Sequence, residues 1–220
     1  MKVGVLGTGV VGESIASALI AAENYVMMGS RTANNDKSKT WLKKAGRYAS
    51  TGTFTDAAMF GDIIFVCLSG EYALDVVKHL GDDITRNKII VDVTNPLDFT
   101  KGMPPRILDN LGNSTSLGEE IQKRLPNAYV IKTLNTINYK LMVDARLVNN
   151  SDHHLFVCGN NVDAKNKVMH LLVDNFHWKS DRVIDLGGIE MSRCVEAIVP
   201  FWVAVYQKLG TPLFNFKIVQ

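Results

Sequence analysis

Three glycines near the start of the chain are spaced in a way that suits the binding of a pyrophosphate. Gly7, Gly9 and Gly12 form a GxGxxG motif, written GTGVVG here, directly after the apolar run 2–6. In this motif the first glycine permits a tight turn, the second lets the backbone approach the phosphates, and the third allows close helix-strand packing. The helix that follows presents free amides and a partial positive charge to the phosphates. We therefore expect a dinucleotide site whose loop consists of Gly7, Thr8, Gly9, Val10, Val11 and Gly12.

The end of the second predicted strand carries residues that distinguish one dinucleotide from another. NAD sites place an Asp or Glu here, which accepts hydrogen bonds from ribose hydroxyls. This chain has Ser30, Arg31 and Thr32 instead, and a guanidinium with two hydroxyls can bind a 2′-phosphate. Residues 31–50 hold six basic residues and one acidic residue, against 18 basic and 21 acidic residues elsewhere. The sequence therefore favours NADP over NAD, although a solvated helix face explains most of these lysines.

Two later strands should end beside the same ligand, because ligands lie outside the carboxyl ends of parallel strands. The fourth predicted strand ends in CLSG, which places Leu68 and Ser69 at the cofactor, and the fifth ends in TNPL, with Asn95 and Pro96. Ser69 and Asn95 can reach ribose hydroxyls, and the Asn-Pro pair can form a rigid corner on the nicotinamide side. Ordinary turn chemistry explains Asn95-Pro96 equally well. Cys67 suits a small buried residue better than a nucleophile.

The composition is that of an ordinary globular chain and excludes several classes of protein. With 220 residues, 46% of them hydrophobic, and a net charge of +2, nothing global indicates nucleic acid. Three cysteines lie far apart without CxxC spacing, which favours a reducing cytoplasm over a disulfide framework or a zinc site. The longest apolar run, Ala197 to Tyr206, is shorter than the roughly 20 residues of a membrane span. We expect a cytoplasmic protein that binds neither metal nor membrane.

Short apolar runs alternate with helical patterns along the chain. Strands are predicted over residues 2–6, 25–29, 62–68, 88–93, 128–134, 154–159 and 182–187, with a weak strand near Tyr48. Helices are predicted over residues 12–23, 72–80, 116–125 and 163–176. This alternation predicts an α/β, Rossmann-type doubly wound and mostly parallel sheet that is extended by extra strands. Residues 94–115 are predicted to form one long irregular loop.

The C-terminal part of the chain forms a separate prediction. We expect residues 1–186 to form an extended NADP-binding domain and residues 187–220 to form a helix and tail that close the cleft. The pattern over 189–209 is helical, with a bend expected at Pro200, but apolar side chains face every direction. A second copy of the chain should cover the surplus apolar face. We therefore expect a homodimer whose centre contains Phe201, Trp202 and Tyr206.

Six segments spread over nearly the whole chain form a combination typical of one protein family. They are GTGVVG at 7–12, GSR at 29–31, TLNTI at 133–137, VCG at 157–159, LGGIEMSRCVEAIVP at 186–200 and FNFKIV at 214–219. In these six segments the chain resembles the coenzyme F-420 (F420)-dependent NADP oxidoreductases. The resemblance implies that the glycine turn, Ser30 and Arg31 bind NADPH, and that Ile137 lies near the nicotinamide. It also implies that the deazaflavin stacks there, near the Asn95 loop and the Leu186–Met191 turn. The same module resembles the cytosolic domain of six-transmembrane metalloreductases.

The sequence contains few residues suited to acid-base catalysis. It lacks the Lys-xxx-Asn pair of hydroxyacid dehydrogenases, and its histidines show no metal spacing. Hydride exchange between two planar rings needs their alignment and no strong protein acid or base. We therefore expect an NADP-dependent oxidoreductase, without a catalytic side chain, that passes hydride between NADPH and a planar acceptor such as F420 or a flavin-like compound. Two alternatives stay open: an NADPH-dependent imine or carbonyl reductase related to pyrroline-carboxylate reductases, and a non-catalytic NADPH sensor.

Overall fold

The computed structural model describes residues 1–33 and 35–220, and its main feature is an eight-stranded sheet. The strands of this sheet are β1 (Lys2–Leu6), β2 (Tyr25–Ser30), β3 (Ala49–Thr53), β4 (Ile63–Val66), β5 (Ile89–Asp92), β8 (Tyr129–Thr133), β9 (Leu155–Cys158) and β10 (Val183–Asp185). Between β5 and β8, the short strands β6 (Leu97–Asp98) and β7 (Arg106–Ile107) form a separate antiparallel ribbon. The order across the large sheet is β10-β9-β8-β5-β4-β1-β2-β3.

Strand direction in the large sheet changes at one place. β8 and β9 are antiparallel, whereas the other neighbouring pairs are parallel. The expected doubly wound, mostly parallel α/β fold with extra strands is therefore confirmed. Because β9 and β10 both run in the reversed direction, the chain leaves β10 toward the amino edge of the parallel strands. Ligands of such folds bind at the opposite edge.

Helices cover both faces of the sheet. They are α1 (Val10–Ala21), α2 (Asp36–Ala45), α3 (Phe54–Phe60), α4 (Gly70–Thr85), α5 (Leu117–Arg124), α6 (Tyr139–Val143), α7 (Val162–Phe176), α8 (Ser192–Ala197) and α9 (Val199–Leu209). Residues of α1, α2, α6 and α7 pack on one face, and residues of α3, α4 and α5 pack on the other. No helix in the described part of the chain is both long and apolar enough to cross a membrane.

The central strands are apolar on both sides because each face is covered by helices. In β4, Ile63 and Phe65 belong to the core cluster on the α1 side, whereas Ile64 and Val66 belong to the cluster on the α4 side. This alternation follows from the two-residue period of a strand. Full burial of each such side chain contributes about 1.5–3 kcal/mol. The continuous apolar runs in the sequence are therefore central strands.

Several elements differ from the sequence-based expectation. Residues 94–115 are not wholly irregular, since they contain the β6–β7 ribbon. Helix α3 is short and was not predicted; it begins with a capping box between Thr53 and Asp56. Helix α4 continues past the predicted end to Thr85, through a break at Gly81, where φ is 70°. A glycine adopts this conformation without the steric cost of a Cβ atom, so the turn can continue as helix beyond it.

The C-terminal segment is divided where a single bent helix was expected. A 3₁₀ turn at Ile189–Met191 leads into α8, and α9 follows after one intervening residue, Ile198. Pro200 lies in the first turn of α9. A proline is well tolerated there because its missing amide would have no partner within the helix. Pro200 therefore marks the start of a second helix, and the bend expected there stays a prediction.

Candidate functional site

The glycine turn after β1 is tightly packed at two of its glycines and open at the third. Gly7 has a φ of 128°, which favours glycine, and a Cβ atom there would overlap the carbonyl oxygen of Cys67. A Cβ on Gly12 would overlap the Gly7 carbonyl oxygen, whereas one on Gly9 would meet no described atom within 4 Å. Among the described residues, no side chain caps the amides of α1 after Gly9. The turn therefore presents open space beside uncapped helix amides, an arrangement that suits an anion.

Arg31 lies at the tip of β2 with its side chain exposed to solvent. Its guanidinium carbon is 5.5 Å from the ring centroid of Tyr72, in the first turn of α4. Ser30 is buried and donates its hydroxyl proton to the Thr32 carbonyl oxygen at 2.5 Å. Its single proton is thus already used, and Arg31 and Thr32 supply the exposed donors at this strand end. The lysines of α2 are exposed, as expected of a solvated helix face.

The carboxyl ends of β4, β5 and β8 border a cleft of about 330 Å³. It brings together five of the predicted site residues, namely Val11, Leu68, Ser69, Asn95 and Ile137. Thr8, Gly9 and Val10 line a neighbouring hollow on the α2 side. Pro96 is buried, next to the half-buried Asn95, and is not part of the cleft wall. Trp202 of the C-terminal segment forms part of the cleft wall, so this segment reaches the same edge of the sheet.

Asn95 is held by a residue that the sequence analysis did not select, Asn135. The Asn95 Nδ2 group donates to the Asn135 carbonyl at 2.8 Å, and Asn135 Nδ2 donates back to Asn95 Oδ1 at 2.9 Å. Asn135 Nδ2 also donates to the carbonyl of Val195 in α8, at 2.8 Å. One Nδ2 hydrogen and one Oδ1 lone pair of Asn95 are left for a ligand. Asn135 lies within the TLNTI segment, and membership of that segment was the sequence signal that could have identified it.

Beneath the cleft lies a buried group of three charged residues, which sequence reasoning also missed. The Lys132 ammonium donates to Asp92 Oδ2 at 2.9 Å, to the Thr94 carbonyl at 2.7 Å and to Glu196 Oε1 at 2.7 Å. All three side chains are at most 1% exposed. Burial alone would lower the pKa of Lys132, but the carboxylates of Asp92 and Glu196 outweigh it and raise that pKa. The sequence signal that could have revealed this group is a charged residue inside each of two apolar strands, Asp92 in one and Lys132 in the other.

Both carboxylates of this buried group have further donors. Asp92 Oδ1 accepts from the Thr94 amide at 2.9 Å and from its hydroxyl at 2.6 Å. Glu196 accepts from the first amides of α5, those of Leu117 at 2.9 Å and Gly118 at 3.0 Å. Lys132 uses its three protons, so the group is saturated. It holds backbone segments in place and has no spare proton to exchange with the cleft.

Cys67 is buried, as the sequence predicted, whereas the Leu186–Met191 turn does not line the cleft. Burial raises the pKa of the Cys67 thiol, which stays protonated and is not part of the cleft wall. The Leu186–Met191 turn, expected near the acceptor, contacts Gly159 and Asn160 instead. The reversed direction of β9 and β10 brings this turn toward the amino edge of the parallel strands. None of its residues lines the cleft, although Ile189 packs beside Gly118 at the start of α5.

Comparison with known proteins decides the family. The sequence model described as NADP oxidoreductase coenzyme F420-dependent matches residues 2–96. The F420-dependent NADP reductase of Methanocaldococcus jannaschii is 32% identical over 225 residues, which cover 96% of either chain. The chain belongs to the F420-dependent NADP oxidoreductases. The resemblance noted in the sequence is thereby confirmed, and the protein is an oxidoreductase of this NADP-linked family.

Two further relatives show how far this oxidoreductase module extends. A crystal structure from Arthrobacter sp. FB24, provisionally named an F420-dependent NADP reductase, superposes with a TM-score of 0.91 at 38% identity over 100% of both chains. The metalloreductase STEAP3 of Rattus norvegicus is 27% identical over 209 residues, which make up 91% of this chain but 38% of that protein. The chain thus shares its whole architecture with the first and aligns with part of the second.

Proposed function

We propose that the protein transfers a hydride between NADPH and a planar acceptor, F420 or a flavin-like compound, within the cleft. The observation that carries this proposal is the position of the cleft, which opens between the glycine turn and the ends of β4, β5 and β8. The acceptor named for the Methanocaldococcus relative makes F420 the first candidate. In this reaction the nicotinamide supplies hydride, and the acceptor takes a further proton from solvent.

The residues present suit NADPH along the whole edge of the sheet. The open space at Gly9 and the uncapped α1 amides would hold the pyrophosphate, with Thr8, Val10, Val11 and Gly12 in the same turn. The exposed Arg31 and Thr32, with Ser30 beneath them, would hold the 2′-phosphate. At the other end, Leu68, Ser69, Asn95, Pro96 and Ile137 would border the ribose and the nicotinamide.

The character of the cleft wall supports transfer between two rings. The described lining residues include no acidic, basic, histidine or cysteine side chain, and Tyr139 provides a phenol. Val93, Met142 and Trp202 are apolar surfaces that would exclude water and align the reacting rings. Trp202 is itself stacked on Phe214, with ring centroids 5.0 Å apart. Such a wall favours a planar acceptor over a substrate that requires a strong proton donor.

We propose that the tail closes the cleft and pairs two copies of the chain. Residues 187–220 cross from the amino edge to the cleft, where Trp202 joins its wall. Phe201 remains 58% exposed and Leu209 55% exposed. The Phe216 carbonyl accepts from the His154 amide at 3.0 Å, which anchors the tail beside β9 and leaves these side chains facing outward. A second copy is the proposed cover.

The test of the enzymatic proposal is direct. Purified protein is mixed with NADPH and each of four acceptors in turn, namely F420, a flavin, a quinone and a cyclic imine. The proposal predicts repeated turnover with at least one planar redox acceptor, and a slower single-turnover transfer when the NADPH carries deuterium at the transferred C4 position. Turnover of the imine alone would establish the reductase alternative. Tight NADPH binding without turnover of any acceptor would establish the sensor alternative.

A further inference from the structure

The chain segment 92–96 at the end of β5, which we name the β5 corner, is tied to α8 by two separate sets of hydrogen bonds. In the first, Lys132 donates to the Thr94 carbonyl at 2.7 Å and to Glu196 Oε1 at 2.7 Å. In the second, Asn135 donates to Asn95 Oδ1 at 2.9 Å and to the Val195 carbonyl at 2.8 Å. Each set therefore joins one residue of the cleft wall to one residue of α8.

The β5 corner is also confined on its other side. A Cβ atom on Gly70, at the start of α4, would overlap the carbonyl oxygen of Asn95. The corner thus packs directly on the backbone of α4 and cannot move in that direction. Its remaining freedom is toward β8 and α8, where the two sets of hydrogen bonds act. The position of Thr94 and Asn95 is therefore set from both sides.

Stability alone is a poor explanation for three charges buried here. Apolar residues of similar volume often replace a buried ion pair with no loss of stability, because desolvation of the charges offsets their attraction. A saturated network does, however, fix geometry sharply, since each bond has a required length and direction. Lys132 has three donors and three acceptors in place, one of which is the backbone of the cleft wall. A positioning role fits this arrangement better than a purely stabilising one.

We propose that Asn135 and Glu196 are positioning residues for hydride transfer, which act through Asn95 and Lys132 to hold the β5 corner against the nicotinamide side of the cleft. This inference rests on the proposed function. Glu196 lies outside the cleft wall, whereas Asn135 lines it; both are proposed to act through their hydrogen bonds and not by contact with the reacting atoms. The position of α8 thus sets the position of the cleft wall. A displacement of the β5 corner would misalign the two rings, while the dinucleotide would stay bound.

The catalytic test compares Asn135→Ala and Glu196→Gln with wild type, below their melting temperatures. Single-turnover hydride transfer at saturating NADPH and acceptor should slow about tenfold or more, because misplacement by about 1 Å can cost that much and more. The NADPH Kd should change by less than about twofold, since the glycine turn and Arg31 are untouched. Asn166→Ala and Glu23→Gln make the same chemical changes at exposed positions and should leave both quantities unchanged. An unchanged transfer rate in folded Asn135→Ala would overturn the inference.

A ligand-free measurement separates this inference from the proposed function. Hydrogen exchange of the amides in 92–96 should accelerate at least tenfold in Asn135→Ala, whereas exchange in β1 and β2 should stay as in wild type. Glu196→Gln provides a second variant if one of the two folds poorly. If wild type transfers no hydride, the proposed function fails, and exchange at the β5 corner still decides whether α8 holds it. Unchanged exchange in both variants would refute the coupling.

Discussion

Arg193 of α8 and Glu119 of α5 form a bidentate ion pair, in which Arg193 Nε lies 2.7 Å from Glu119 Oε2 and Arg193 Nη2 lies 2.6 Å from Glu119 Oε1. The Arg193 hydrogen bond, aided by Ser116, lowers the pKa of Glu119. A depressed carboxyl pKa contributes stability that is present above the unfolded value, about 4.3, and lost as pH falls through the folded value. Arg193→Ala should therefore lower the melting temperature near pH 7, and this loss should shrink as the pH falls from about 4.3 through the folded pKa of Glu119.

Thermal unfolding of wild type and Arg193→Ala across this pH range measures that difference. Lys43→Ala, a truncation of an exposed basic side chain in α2, is the matched control and should show no such pH dependence. A gap between wild type and Arg193→Ala that persists unchanged to pH 3 would contradict the role given to the Glu119 charge.

Selectivity for NADPH is expected to depend on Arg31. A charge-assisted contact with the 2′-phosphate contributes about 1.5–3 kcal/mol, so Arg31→Ala should weaken NADPH binding at least tenfold and leave NADH nearly unchanged. Fluorescence titration with both cofactors measures the two dissociation constants. Lys39→Ala, at an exposed position in α2, should change the NADPH constant by less than about twofold. Equal losses for NADPH and NADH in Arg31→Ala would remove Arg31 from the phosphate site.

The glycine turn allows stability and binding to be separated by two similar substitutions. A methyl group on Gly9 meets no described atom within 4 Å, so Gly9→Ala should melt within a few degrees of wild type. The same methyl group occupies the space proposed for the pyrophosphate and should weaken NADPH binding at least tenfold. Gly12→Ala should instead destabilise the fold, because its Cβ overlaps the Gly7 carbonyl. Unimpaired NADPH binding by Gly9→Ala would argue against phosphate contact at this turn.

The chemistry proposed for the cleft predicts that no side chain is indispensable as a proton donor. Ser69→Ala and Asn95→Ala should lower kcat moderately, by misplacing the rings, while Tyr139→Phe should retain most of it. Steady-state kinetics with F420 and NADPH, together with NADPH titration of each variant, provide the measurement. Abolished transfer with intact NADPH binding in any of the three would assign a chemical role to that residue and favour the imine or carbonyl reductase alternative.

The proposed dimer is best tested at Phe201. Light scattering at micromolar concentration should give twice the chain mass for wild type, and Phe201→Glu should give the monomer because the charge would be buried in the interface. Trp202 is a less suitable position than the sequence suggested, since it also lines the cleft and stacks on Tyr206 and Phe214. Lys208→Glu, which also introduces a carboxylate on α9, is the control for charge alone. A monomeric wild type would refute the proposal.

The fold was accessible from the sequence because its signals are local. Short apolar runs defined most strands, and the most continuous of them, in β4 and β5, lie at the sheet centre. Helix α3 was missed because it is short and depends on the Thr53–Asp56 capping box. The reversed direction of β9 could not be predicted, because strand direction depends on the partner across the sheet and not on the strand's own residues.

The candidate site was predictable only where residues follow a motif. The glycine turn and the cluster at 30–32 have recognisable spacing, and the ends of β4 and β5 follow from the position of parallel strands. The link from Lys132 to Glu196 joins residues far apart in sequence and was invisible to any local pattern. Ser30 illustrates the same limit: its residue type suggested phosphate binding, but its proton is donated to the Thr32 carbonyl.

The order in which these residues are synthesised determines when each of the buried charges can find its partner. Asp92 and Lys132 are synthesised before Glu196, so the ammonium has one carboxylate until α8 emerges. The amides of Leu117 and Gly118 likewise lack their acceptor, the Glu196 carboxylate, until that residue has been synthesised. The part of this network that α8 supplies, the Val195 carbonyl and the Glu196 carboxylate, is therefore added after every residue proposed to bind the dinucleotide is already in the chain.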